Sequence, residues 1–130
     1  MLDRFGRFPL ARLIVMFKDQ TMREVHVGDV ALKIGRDSSN HIHLDNPSVS
    51  RFHAEVYRQG YPFFIEDKNS TNGVKVNGLT ITWKSDLRDG DVITIGKHTL
   101  VFKEDPNDFE DRKKMSLSDF DGTVKIGGKG

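Results

Sequence analysis

Between residues 12 and 103 apolar and polar positions alternate in short runs, and turn residues break the pattern roughly every 8 to 12 positions, the spacing of a β-sandwich or barrel. Strands are expected at 12–17, 22–27, 31–34, 42–44, 53–58, 63–67, 74–76, 80–84, 91–95 and 99–103. Gly60, Asn77-Gly78, Asp89-Gly90 and Gly96-Lys97 supply residues that tolerate positive φ, so several hairpins are implied. The alternation is clearest where Ile93, Ile95, Leu100 and Phe102 fall on one side and Thr94, Thr99 and Val101 on the other. Such a period of two buries the first set and leaves the second mostly to water. A helical period of 3.6 appears nowhere, so the expected class is all-β.

The pattern stops after Lys103. Residues 105–130 are rich in Asp, Lys, Ser and Gly around isolated Phe109, Leu117, Phe120 and Ile126, which reads as a flexible tail or linker. Its Gly127-Gly128-Lys129-Gly130 ending suits continuation into a further domain. At the other end, residues 1–10 carry Arg4, Arg7, Phe5, Phe8 and Pro9 without the continuous apolar stretch of a secretory signal, and read as a flexible leader. One domain, 11–104, is expected between them.

Charge and composition narrow the function. Twenty Lys and Arg against nineteen Asp and Glu leave a formal charge of +1, far from the basic balance of nucleic-acid binders, so any anion site must be local. No apolar run approaches the ~20 residues that cross a bilayer, so no membrane role is expected. The absence of cysteine removes disulfides and thiolate metal sites and permits a cytoplasmic setting.

Three clusters fall at strand ends: Gly35-Arg36, Ser50-Arg51-Phe52-His53, and Asn69-Ser70-Thr71-Asn72-Gly73. Strand ends of a sandwich gather on one edge, where loops converge while the sheets stay rigid. A phosphate monoester carries about −1.5 to −2 charge at neutral pH and only acceptor oxygens, so it needs cations, hydroxyls and amides. Arg36 offers a planar fork of donors, Arg51 a second cation, and Ser50 and Thr71 hydroxyls. Asn72, with donor and acceptor on one amide, suits the backbone of an extended peptide.

Gly35-Arg36, Ser50-x-x-His53, Ser70-Thr71-Asn72-Gly73 with Val76-Asn77-Gly78, and Leu87-x-Asp89-Gly90-Asp91 with Ile95-Gly96 resemble, in order and spacing, the forkhead-associated (FHA) domain. The resemblance spans about residues 13–103. It implies a two-sheet sandwich of about eleven mostly antiparallel strands, without catalytic activity or cofactor, that binds phosphothreonine peptides through loops at one edge. By position, Arg36 and Ser50 would contact the phosphate, Arg51 and Thr71 would assist, and Asn72 would hold the peptide backbone. Gly35, His53 and Gly73 would support the site, Gly35 by letting the chain bend and His53 by bracing a loop. The family often reads the third residue after the phosphothreonine with the loop between Asp37 and Val49, where small, neutral Ser48 gives no charge preference.

Other readings of the same residues are weaker. Ser50 near His53 invites a hydrolase, but no Gly-x-Ser-x-Gly elbow exists. His41, His43 and His53 lack acidic or cysteine partners at metal-ligand spacing and read as isolated surface histidines, so no metal is expected. Phe63, Phe64 and Trp83 suggest core or interface rather than base stacking, given the neutral charge. A sandwich that binds partners independently of phosphate, through an exposed sheet, stays open. Thr123, with Ile126 three residues later, is a candidate phosphorylation site, and the phosphorylated tail a candidate ligand for this domain or a second copy. Tethering would raise its effective concentration to about the millimolar range.

Overall fold

The structure is a computed structural model that describes residues 10–105. The expected leader and tail, and Thr123 with them, lie outside the described residues, except that Leu10 already opens the first strand and Asp105 closes the last. Eleven strands follow one another: β1 Leu10–Phe17, β2 Gln20–Val27, β3 Leu32–Gly35, β4 Ile42–His43, β5 Ala54–Arg58, β6 Phe63–Asp67, β7 Val74–Val76, β8 Leu79–Thr80, β9 Lys84–Leu87, β10 Val92–Ile95 and β11 His98–Asp105. They form a six-stranded sheet ordered β2-β1-β11-β10-β7-β8 and a five-stranded sheet ordered β4-β3-β5-β6-β9. Among the described residues no helix is long and apolar enough to cross a membrane.

Alternation builds the core as expected. Ile93, Ile95, Leu100 and Phe102 are fully buried, and so are Leu13, Ile34, Val56, Ile65 and Val74, which the other strands contribute. Phe63 and Phe102, one from each sheet, meet at a ring-centroid distance of 5.3 Å and tie the two layers together. The Asn77-Gly78 turn has φ of 52° and 83° and closes the β7–β8 hairpin, in which Val76 pairs with Leu79. Both central residues at positive φ are what a two-residue hairpin turn needs to follow the strand twist.

One expected strand, 80–84, is two. β8 ends at Thr80 in the six-stranded sheet, and β9 begins at Lys84 in the other. Between them Ile81 donates its amide to the Val74 carbonyl (3.0 Å), and the Trp83 carbonyl accepts from Asp67 (2.8 Å). The chain therefore changes sheets across three residues whose apolar content made them look continuous.

The strand pairing also places the loops. β3 and β4 pair in parallel through Ile34 with Ile42 and Gly35 with His43, so residues 36–41 bulge outward from the sheet. That bulge, the 44–53 connection, the 68–73 loop and the Gly96-Lys97 turn are bonded to one another at one edge of the sandwich.

Candidate functional site

Gly35 is required by close approach rather than by a turn. A Cβ there would overlap the Arg51 carbonyl oxygen and lie 2.7 Å from the Asn40 amide nitrogen, and the φ of Gly35 is not positive. The expectation that Gly35 lets the chain bend is thus replaced by a packing reason. Because the backbones touch, the Arg36 amide donates to the Ser50 carbonyl (2.9 Å) and the Asp37 amide to the Arg51 carbonyl (3.1 Å). Arg36 then lies exposed across the 44–53 connection, its Nε donating to the Val49 carbonyl at 3.0 Å. Its terminal guanidinium nitrogens have no partner among the described residues.

His53 joins two loops from inside. Its ring is fully buried, not on the surface as the histidine pattern suggested. Nδ1 accepts the Ser50 amide at 2.9 Å, which leaves Nε2 with the proton that it donates to the Gly73 carbonyl at 2.8 Å. Gly73 has a φ of 82°, a conformation that a side chain would strain. The 67–73 segment is further wound by Asp67 Oδ1 accepting the Ser70 amide and by Ser70 Oγ accepting the Gly73 amide.

The Ser50 hydroxyl lies on the seam between these loops. Its oxygen accepts the Thr71 amide at 2.9 Å, so the hydroxyl hydrogen remains to be donated outward. Asn72 donates its amide nitrogen to the Ser48 carbonyl at 2.9 Å while its side-chain oxygen stays available. Arg51 is already engaged: its Nη2 lies 3.2 Å from Asp37 Oδ1 and its guanidinium carbon 5.8 Å from the Phe52 ring centroid. Asp37 is held down to about 2, first by the Ser39 hydroxyl, then by the Ser39 amide and by Arg51. It therefore remains a carboxylate at any ordinary pH and keeps its claim on Arg51.

Thus Arg36, Ser50, Arg51, Thr71 and Asn72 come together on one exposed rim, braced by Gly35, His53 and Gly73 behind it. Two contributors, Asn40 and Asn46, had no place in the sequence reading, and a third, Ser48, takes a different part from the one expected. Buried Asn40 donates to the carbonyls of both Asp37 and Arg51, each at 2.8 Å, and so fastens the outward bulge to the next loop. Asn46 accepts the amide and hydroxyl of Ser48, at 3.0 and 2.6 Å. Ser48 Oγ also accepts the Lys97 amide at 3.1 Å, so Ser48 is a bracket for the turn at Gly96 rather than a free lining group. Asn40 sits within the polar run Asp37-Ser38-Ser39-Asn40-His41, so the sequence does not single it out.

Among the described residues no group of His, Asp and Glu could hold a metal ion. His41 Nδ1 accepts the Lys33 amide at 3.0 Å, and His53 has both nitrogens occupied. Of the aromatic trio, Phe63 is core, Phe64 half-buried and Trp83 59% exposed, with the Lys84 ammonium 4.6 Å from its ring.

The model of the FHA domain matches residues 32–96, half of the chain, and includes every residue of the rim. The chain belongs to the FHA domain family. Over 73 residues this FHA domain is 41% identical to the transcriptional regulatory protein EmbR of Mycobacterium tuberculosis, covering 56% of this chain and 19% of EmbR. It is 43% identical over 72 residues to the oxoglutarate dehydrogenase inhibitor of Corynebacterium diphtheriae, covering 55% of this chain and 50% of the inhibitor. The chain thus spans half or less of these curated relatives. The structure of M. tuberculosis EmbR in complex with a low-affinity phosphopeptide superposes with a TM-score of 0.71 at 32% identity, over 82% of this chain and 27% of that one. An FHA domain structure from work on phosphothreonine-dependent interactions superposes with a TM-score of 0.66 at 29% identity, over 74% of this chain and 99% of that one.

Proposed function

We propose that this FHA domain is a phosphothreonine-dependent binding module, a signalling adaptor that docks a phosphorylated partner without chemistry of its own. The observation that carries the reading is a pair of unspent donors on neighbouring backbones. Arg36 is anchored through Nε with its terminal nitrogens free, and Ser50 is anchored as an acceptor with its hydrogen free. Both anchors leave the remaining donors pre-aimed, so a phosphate gains charge-assisted bonds with little further ordering. Thr71 adds a hydroxyl, Arg51 a second cation once drawn from Asp37, and Asn72 a side-chain oxygen for a peptide amide. The EmbR phosphopeptide complex supports the same reading by likeness.

We place the module in the cytoplasm, where protein kinases would act on its partners, and no cofactor, nucleic acid or membrane enters this reading. Phosphorylated Thr123 of the same chain is a proposed ligand in cis or in trans, and phosphorylation would then switch the site on or off. A phospho-Thr123 chain that leaves the NMR shifts of Arg36 and Ser50 unchanged would exclude it.

Calorimetric titration with a degenerate phosphothreonine peptide library tests the module, with unphosphorylated, phosphoserine and phosphotyrosine libraries as controls. Binding to the phosphothreonine library alone is expected. Arg36→Ala should abolish it, and Ser50→Ala should weaken it by about 1–3 kcal/mol, with both melting like the parent. Should Arg36→Ala unfold the domain and leave affinity intact, the assignment is wrong. Binding that ignores phosphate would favour docking through the exposed sheet around Trp83.

A further inference from the structure

Beside Asn72 a cleft of about 210 Å³ opens on the rim, lined by Asn72, Lys75, Thr94, Gly96 and Lys97 among others, and by no carboxylate. Its floor is fixed by strand pairing. Lys75 of β7 lies directly across from Thr94 of β10, so the two side chains stand together on the outer face of the six-stranded sheet. Lys97 occupies the second position of the Gly96-Lys97 turn, where Gly96 has a φ of 59°. That turn is held against the 44–53 connection, since the Lys97 amide donates to Ser48 Oγ and a Cβ on Gly96 would crowd the Ser48 carbonyl. The lysines are therefore brought to the cleft by constrained backbone.

Their charges are unspent. Lys68 and Lys103 have carboxylate partners, and Lys18 and Lys84 lie over aromatic rings. Neither Lys75 nor Lys97 has an ion pair or a side-chain hydrogen bond among the described residues, and the Thr94 hydroxyl has none either. In a chain whose net charge is only +1, two unpaired ammonium groups and a hydroxyl around one concavity form a local anion-attracting site separate from Arg36.

We infer that this cleft receives an acidic side chain of the phosphorylated peptide, so that the domain selects phosphothreonine accompanied by a nearby Asp or Glu. This rests on the phosphopeptide reading above and adds a determinant to it. The cleft adjoins the phosphate site: Asn72, which lines it, directly follows Thr71, whose amide donates to Ser50 Oγ at 2.9 Å. An extended peptide rises about 3.3 Å per residue, so one lying across Asn72 delivers to the cleft a side chain a few residues from its phosphothreonine. Asn72, between the two anion sites, can hold the intervening peptide backbone by the oxygen that Ser48 leaves free.

The test is calorimetric titration of phosphothreonine peptides with alanine flanks into which a single glutamate is moved through the four positions on each side. At one of them glutamate should raise affinity about three- to tenfold at low salt, the range that two partly exposed ion pairs provide, and the gain should shrink as salt rises. In a Lys75→Glu/Lys97→Glu variant the ratio between glutamate and alanine peptides should fall to about one or below, and a lysine peptide should now be preferred. Lys75→Gln/Lys97→Gln repeats the comparison without reversed charge if the first variant melts early. If the alanine phosphopeptide binds and glutamate helps nowhere, or if the preference survives in the variants, the acidic subsite is overturned while the phosphate site stands. If no phosphothreonine peptide binds, both fall.

Discussion

Replacing His53 by alanine tests the idea that two loops are clasped from inside. The change removes the acceptor of the Ser50 amide and the donor to the Gly73 carbonyl, both half-buried. An unsatisfied group of this kind costs about 1–3 kcal/mol, and water entering the space of the lost imidazole reclaims part of it. The loss is then about 2–4 kcal/mol, against about 5–15 kcal/mol for a whole domain. For a domain of this size each kcal/mol shifts the melting temperature by about 4–8 °C, so a drop of about 10–25 °C is expected. Circular dichroism melts at pH 7.5 measure it. His53→Gln, which keeps one donor and one acceptor, should recover part of the loss. Phosphopeptide affinity, measured well below the melt, should fall with His53→Ala because Ser50 and Thr71 lose their common brace. A His53→Ala protein that melts within about 2 °C of the parent would refute the clasp, since neither hydrogen bond could then be holding anything.

Gly35→Ala should destabilise the fold by about 1–3 kcal/mol or more and weaken phosphopeptide binding, because the Arg51 carbonyl must move away. Gly28→Ala, whose Cβ would meet only the His26 ring at 3.7 and 3.8 Å, is the control that should melt near the parent. Asp37→Asn should release Arg51 and raise phosphopeptide affinity about two- to fivefold at low salt, as read by calorimetry. His98, buried against Phe17 at 4.8 Å with no partner for Nδ1, has its pKa pushed below the usual histidine value by that burial. A depressed histidine pKa means that its contribution is full above about 6.5 and is lost as pH falls from there through the folded-state value. Urea midpoints between pH 8 and 5 should therefore decline, and His98→Phe should flatten the decline.

How much of this could be read in advance depends on what each residue faces. Strands with one buried side announced themselves, as Ile93 and Ile95 do, because burial imposes a period of two. β2 did not show its full length: its residues from Gln20 to Glu24 are exposed, so nothing forces an alternating pattern there. The sheet change between Thr80 and Lys84 was hidden because Ile81 and Trp83 are apolar although neither belongs to a strand. At the site the residue types were legible, but their internal engagements were not. Asn72 spends its amide on Ser48, Arg51 leans on Asp37, and Ser48 holds the Gly96-Lys97 turn, all through contacts between residues 14 to 49 positions apart. Local sequence carries no trace of such pairings. It shows which donors exist, whereas the structure shows which of them remain unspent, and the function proposed here rests on those of Arg36 and Ser50.

The central claim is tested most directly by following the amide and arginine Nε resonances of the full chain by NMR while a phosphothreonine peptide is added. The account predicts that the largest shift changes fall on the Arg36 Nε–H and on the amides of Ser50, Thr71 and Asn72, and that the unphosphorylated peptide causes none of them. Shifts confined to the sheet around Trp83, or equal with and without the phosphate, would contradict it.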